Sequence, residues 1–275
     1  MLPGIGVWIW YPDRANSEDG NLTDHLQMLW DSGVRRLYIK SSDGVNVWKD
    51  SLSLVDQIKS DGWDFKIWGW HYSYKPSAAE VRTIKATARY PFDGLVLDIE
   101  QEYKNLTHST ADSRTGDFIK KVRASWDNWP IWVSSFAFPQ YHSSMPWKGL
   151  EEADGFFPQL FPGYGGSLWS MPIRVMVHQV IEQHRAMDIT KAVVPLYETY
   201  QQDQSPITTE RLRECLEASL ESRGSLAPLD QTINFYRWGK MGGAHWDVIR
   251  EFEFPPTPDV IDDAAAEFYC EVEVK

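Results

Sequence analysis

Eight short apolar segments, spaced so that helix-forming stretches fall between them, constrain this chain more than any other feature. In order they are Ile5–Trp10, Arg36–Lys40, Phe65–Trp70, Gly94–Ile99, Ile131–Ser135, Gly155–Gln159, Ala192–Tyr197 and Thr232–Tyr236. A segment that is apolar throughout reads as a strand buried on both faces, and parallel neighbours need long crossovers, usually helical. The intervals supply them. Leu22–Ser32 places Leu22, Leu26, Leu29 and Trp30 on one helical face and stops at Gly33. Further helices are expected over Leu52–Ser60, Ala78–Arg89, Asp117–Trp126, Trp147–Glu152, Arg174–Met187 and Ala244–Phe252, with one more opened by Thr208 or Thr209 and stacking Leu212, Leu216 and Leu220. Eight such units predict an α/β fold, a closed (β/α)8 TIM barrel. An open doubly wound sheet fits less well, because Gly4 and Gly6 lie before or inside the first strand rather than in a phosphate loop after it. The fifth helix is the weakest unit, Pro158 and Pro195 predict bends or bulges in their strands, and no internal repeat is evident.

A chain of 275 residues, 43% hydrophobic, suits one barrel domain, placed here at residues 1–254. Pro255-Pro256-Thr257-Pro258 then opens an acidic C-terminal extension, residues 255–275. Its segment Phe268–Val274 alternates in part like a strand, which fits self-association or contact with a partner. No apolar run is long enough to span a membrane, and no signal peptide is visible, so the expected location is cytoplasmic, or outside after release by lysis, as for a viral protein acting on a cell-wall glycan. Acidic residues outnumber basic ones, 39 to 27, which argues against a nucleic-acid partner. Cys215 and Cys270 form no disulfide framework and no metal-ligand spacing, and neither a metal nor a cofactor is expected. The 14 tryptophans are mostly core by expectation, with a few left as stacking faces for sugars.

The candidate chemistry lies at the end of the fourth strand. Residues two apart on a strand share a face, so Val96, Asp98 and Glu100 point together, and an inward face puts both acids at the C-terminal mouth where barrel enzymes hold their catalytic groups. One acid at a strand end reads as a cap or an ion-pair partner; two on one face, after a wholly apolar run, read as a site. Glycoside hydrolysis requires one carboxylic acid to protonate the leaving oxygen and a second group to stabilise or attack the sugar carbon. Glu100 is the expected acid, with Asp98 raising its pKa by like-charge repulsion and orienting a substrate amide or a water. Glu198, after strand seven, is the alternative second carboxylate. Lys40, His71, Tyr72, Gln159, Tyr197 and Tyr236 fall near the same rim as candidate substrate contacts. Trp70, Trp132 and Trp238 are candidate sugar platforms. His71 also reads as a hydrogen-bonded structural histidine, since no second His or Cys stands at metal spacing.

Gly4-Ile5-Gly6-Val7, Tyr38-Ile39-Lys40-Ser41-Ser42-Asp43-Gly44, Gly69-Trp70-His71-Tyr72 and Leu97-Asp98-Ile99-Glu100 resemble the successive strand ends of the glycoside hydrolase family 25 lysozymes. Asp93-Gly94-Leu95-Val96-Leu97-Asp98-Ile99-Glu100 also resembles the family 18 chitinase signature, Asp-Gly-x-Asp-x-Asp-x-Glu. The resemblance implies a barrel that cleaves an N-acetylated polysaccharide, peptidoglycan or chitin-like, with Glu100 as the acid and Asp98 positioning the N-acetyl group. Two positions depart from these patterns: Gly6 stands where the lysozymes carry a first-strand Asp, and Val96 where the chitinases carry their middle Asp. The alternative they leave open is a non-catalytic carbohydrate-binding or structural barrel.

Overall fold

Each of the eight apolar segments is a strand in the computed structural model, which describes residues 4–10, 22–126, 129–161, 171–200, 205–222, 233–236 and 241–252. They are β1 (Ile5–Ile9), β2 (Val34–Asp43), β3 (Lys66–Ser73), β4 (Gly94–Ile99), β5 (Ile131–Phe136), β6 (Gly155–Leu160), β7 in two pieces (Ala192–Val193 and Leu196–Glu198) and β8 (Ile233–Tyr236). Every strand pairs parallel with its predecessor, and β8 pairs back onto β1, so the sheet closes. The chain is a (β/α)8 barrel. A short antiparallel strand, Asn46–Val47, folds back onto the end of β2. The C-terminal extension 255–275, the domain boundary at 254 and Trp238 lie outside the described residues.

The crossovers are α1 (Leu22–Asp31), α2 (Lys49–Ser60), α3 (Ala78–Thr87), α4 (His108–Arg123), α5 (Trp147–Leu150), α6 (Ile173–Ala186), α7 (Thr209–Glu221) and α8 (Gly243–Glu251). Their ends follow local chemistry. Gly33 takes the left-handed conformation after α1, with φ of 79°, and Thr208 caps α7 by accepting the amide of Arg211. α4 starts at His108, well before the expected Asp117, because its polar first turns carry no apolar period to read. α5 is a single turn.

The strand prolines behave differently. Pro158 sits within β6, whereas β7 is interrupted at Val194-Pro195, since a residue without an N–H cannot continue the ladder.

Inside the barrel, Trp8, Tyr38, Trp68, Trp70, Val96, Trp132, Phe157 and Leu196 form one buried cluster, separate from the larger core between strands and helices. The indoles fit because glycines face them. Gly94 is the register partner of Trp68, and Gly155 that of Trp132. A Cβ on either glycine would stand 2.6 or 2.7 Å from the opposing ring.

Each of these glycines follows an aspartate that accepts the amide of a residue at the start of the preceding strand. Asp93 takes Ile67 N–H at 2.8 Å and Asp154 takes Ile131 N–H at 2.7 Å. Lys59 and Arg123 neutralise the two aspartates. The same Asp-Gly device therefore registers β4 and β6, and the residue four beyond each glycine is Asp98 in one strand and Gln159 in the other.

Candidate functional site

Alternation along β4 carries the inward face from Val96, in the interior cluster, up to Asp98 at the mouth. Glu100 follows just past the strand and opens a 3-10 turn, Gln101–Asn105. Asp98 is 7% exposed and Glu100 is half-buried. Gln159, inward on β6, joins them: its Nε2 lies 3.0 Å from Asp98 Oδ1, 2.7 Å from Glu100 Oε1 and 3.1 Å from Ser134 Oγ. Ser134, inward on β5, donates its own hydroxyl to Asp98.

Burial, then the charge of Glu100, pushes the Asp98 carboxyl well above the ordinary value of 3.8, against the pull of the Ser134 hydroxyl and the Lys40 charge. Glu100 is also raised, first by burial and then by Glu102, while the Gln159 amide opposes the rise. The two carboxyls are hydrogen-bonded, and the bond raises Asp98 while lowering Glu100. One proton is thus shared between the two carboxyls, and its titration belongs to the pair rather than to either residue. Like-charge repulsion within the pair, expected from the sequence, stands here beside burial, which is the larger cause for both carboxyls.

Glu102, on the 3-10 turn, accepts the Tyr72 hydroxyl on both oxygens at 3.1 Å. Tyr72, inward on β3, is held protonated by burial and by the charges of Glu100 and Glu102. Lys40 is 3% exposed; its ammonium is 2.6 Å from Asp43 and lies 4.6, 4.8 and 5.2 Å from the ring centroids of Trp48, Trp70 and Trp10. It underlies the site as a caged cation.

The remaining candidates separate by strand face. Trp70 and Trp132 belong to the barrel interior below the acids, buried against other aromatic rings, and offer no open platform. His71 faces outward and is fully buried, with Nδ1 at 2.8 Å from Ser42 Oγ and Nε2 at 3.2 Å from Glu80 Oε2. Tyr197 also faces outward, its hydroxyl 2.8 Å from Ser219 on α7. Neither points into the mouth. Glu198 follows Leu196 inward at the end of β7 and is fully buried. Tyr236 is half-buried at the end of β8 among Trp10, Phe161 and Tyr200, at centroid separations of 5.9 to 6.3 Å. Gly6 faces inward as well, and Asn234 Oδ1 would stand 2.2 Å from a Cβ there, with Tyr38 at 2.8 Å. The first-strand acid of the lysozyme pattern has no room here.

Ser134, Glu102 and Trp10 were not among the sequence-derived candidates. Ser134 was available from Trp132 and Trp10 from Trp8 by the strand period of two, whereas Glu102 sits on the 3-10 turn beyond β4, where that period no longer holds.

Neither a protein-family model nor a curated protein matches the sequence. Solved structures do match in fold. A β-galactosidase from Marinomonas ef1 superposes with a TM-score of 0.60 at 8% identity, over 90% of this chain and 58% of that one. A β-1,3-glucanosyltransferase from Rhizomucor miehei gives 0.57 at 12% identity, over 85% and 86%. A xylanase from Cellvibrio japonicus gives 0.51 at 13% identity, over 86% of each chain. The chain thus has the barrel fold on which these glycan-processing enzymes are built.

Proposed function

We propose that this chain is a glycoside hydrolase that cleaves an N-acetylated polysaccharide, peptidoglycan or chitin-like, with the substrate's own acetamido group as nucleophile. The observation that carries the reading is the hydrogen-bonded Asp98–Glu100 pair, held by Gln159 and Ser134 at the barrel mouth. Carboxylates that act as separate acid and nucleophile stand roughly 5–5.5 Å apart with the sugar between them. Two carboxyls sharing a proton leave no space for a sugar, so they work from one side of the bond. Substrate-assisted hydrolysis meets that condition.

In this reading Glu100, charged with the shared proton, gives it to the glycosidic oxygen as the bond to the anomeric carbon breaks. Asp98, left as a carboxylate, accepts the acetamido N–H, and the acetamido oxygen bonds to the anomeric carbon. Water then adds at that carbon as its bond to the acetamido oxygen breaks, and gives a proton back to the carboxyl pair through Glu100. Gln159 and Ser134 fix the acids.

Matched N-acetylated and de-N-acetylated chitin oligosaccharides test the proposal. Products from the acetylated series alone are expected. Equal cleavage of both would move the nucleophile to a protein carboxylate, and Glu198 is the inward one at the end of β7. Binding of the acetylated series with no new reducing ends would make the barrel a non-catalytic glycan binder.

A further inference from the structure

Glu80 is a buried carboxylate that the reaction proposed above does not use. It is 2% exposed, stands in the first turn of α3 and lies behind β3 rather than in the mouth. A carboxylate in such a place is costly unless donors surround it, and the first turn of a helix favours its charge. Oε1 accepts the Lys75 amide at 3.1 Å, while Oε2 accepts the Ser73 hydroxyl at 2.6 Å and lies 3.2 Å from His71 Nε2. With its proton on Nε2, His71 donates to Glu80 and takes the Ser42 hydroxyl on Nδ1 at 2.8 Å. Ser42, His71 and Glu80 thus follow the order of a nucleophile, a base and an acid, but Ser42 and His71 are fully buried and no substrate reaches them.

The chain of bonds runs instead toward the acid pair. Ser73 gives its one hydroxyl proton to Glu80, so the Tyr103 hydroxyl, 2.7 Å from Ser73 Oγ, is the donor in that contact. Burial first, then the Glu80 charge, keeps the proton on Tyr103 against the pull of Ser73. Tyr103 is on the 3-10 turn after Glu100, and its amide donates to the Glu100 carbonyl at 3.1 Å. The parallel ladder ends just before, with Ser73 opposite Ile99 and Ser134 opposite Asp98, which leaves the Glu100 backbone to be placed by the turn. Two consecutive residues of β3 grip that turn. Tyr72, inward, donates to Glu102, and Ser73, outward, accepts from Tyr103.

Resting on the hydrolase reading above, we infer that Glu80 is a positioning residue for Glu100, acting through Ser73 and Tyr103. The buried carboxylate fixes the Ser73 hydroxyl, which fixes the Tyr103 ring, and the turn then holds Glu100 where its carboxyl meets Asp98 and Gln159. A misplacement on the order of an ångström in a reacting group is enough to lower a rate about a hundredfold.

Kinetics on chitin oligosaccharides with Tyr103→Phe, Ser73→Ala and the double variant test the link, each protein checked for an unchanged circular dichroism spectrum. Each single variant should lower kcat roughly tenfold with KM within about twofold of the wild type, and the double should lose no more than either single, because both remove the same bond. Glu80→Gln, whose amide oxygen still accepts the Ser73 hydroxyl, should keep most of the activity. Glu80→Met should lose as much as the double variant, and Tyr103→Phe, which removes one oxygen, decides the matter should that protein fail to fold. An unchanged kcat, a loss carried by KM alone, or strictly additive losses would overturn the inference. The NMR resonance of the Glu100 carboxyl carbon gives a readout that needs no turnover. The acid pair should titrate at lower pH in Tyr103→Phe than in the wild type, since a displaced carboxyl is better hydrated, and an unmoved titration would also overturn the positioning role. Absence of products from the wild-type protein would sink the hydrolase reading and leave this titration to decide whether Glu80 positions Glu100.

Discussion

Gly6 and Asp98 carry opposite lessons about single residues. The inward space at Gly6 is occupied by Asn234 and Tyr38, so placing an acid there strains the barrel. Gly6→Asp is expected to lower unfolding free energy by about 1–3 kcal/mol in urea titrations, and an unchanged midpoint would contradict the packing described here. Asp98 strains the fold through its charge. Its folded-state pKa is raised, so the folded protein keeps a proton that the unfolded chain releases once the pH passes the ordinary value of 3.8. Stability from this group is therefore full below that value and is lost as the pH rises through the folded pKa. Asp98→Asn keeps the shape and removes the ionisation, so it should melt higher than the wild type at neutral pH, with the difference vanishing toward pH 3. A variant that melts lower at neutral pH would show that Asp98 is ionised and stabilised there.

At the scale of elements, the strands were legible because burial on both faces leaves an unbroken apolar run. The direction each residue faces was harder to read. On β3 the choice lies between the set Trp68, Trp70, Tyr72 and the set Ile67, Gly69, His71, and both are compatible with a strand buried on two sides. The inward set is the aromatic one, while His71 is turned to Glu80 and Ser42 behind the strand. Tyr197 misled in the same way, since its polar tip is satisfied by α7 rather than by the mouth. The paired Asp-Gly device before β4 and β6 was present in the sequence, yet its meaning depends on the partners Trp68 and Trp132 across the ladder. Gly155→Ala should cost about 1–3 kcal/mol, because the added methyl meets the Trp132 ring at 2.7 Å. Combining it with Trp132→Phe should recover part of the loss, and strictly additive losses would show that the two sites are not in contact.

At the scale of the whole molecule, closure by β1 on β8 gathers residues far apart in sequence around one opening: Trp10, Tyr72, Asp98, Glu100, Ser134, Gln159 and Tyr236 all reach it. The acid pair was legible from alternation within one strand, whereas Gln159 and Ser134 come together with it only through the register of three neighbouring strands. The measurement that bears most directly on the whole account is release of reducing ends from an N-acetylated polysaccharide by the wild-type protein and by Glu100→Gln, each checked for the same circular dichroism spectrum. The account predicts turnover by the wild type and a loss of at least about a hundredfold in the variant, the scale of removing a general acid. Turnover by Glu100→Gln at the wild-type rate would contradict it.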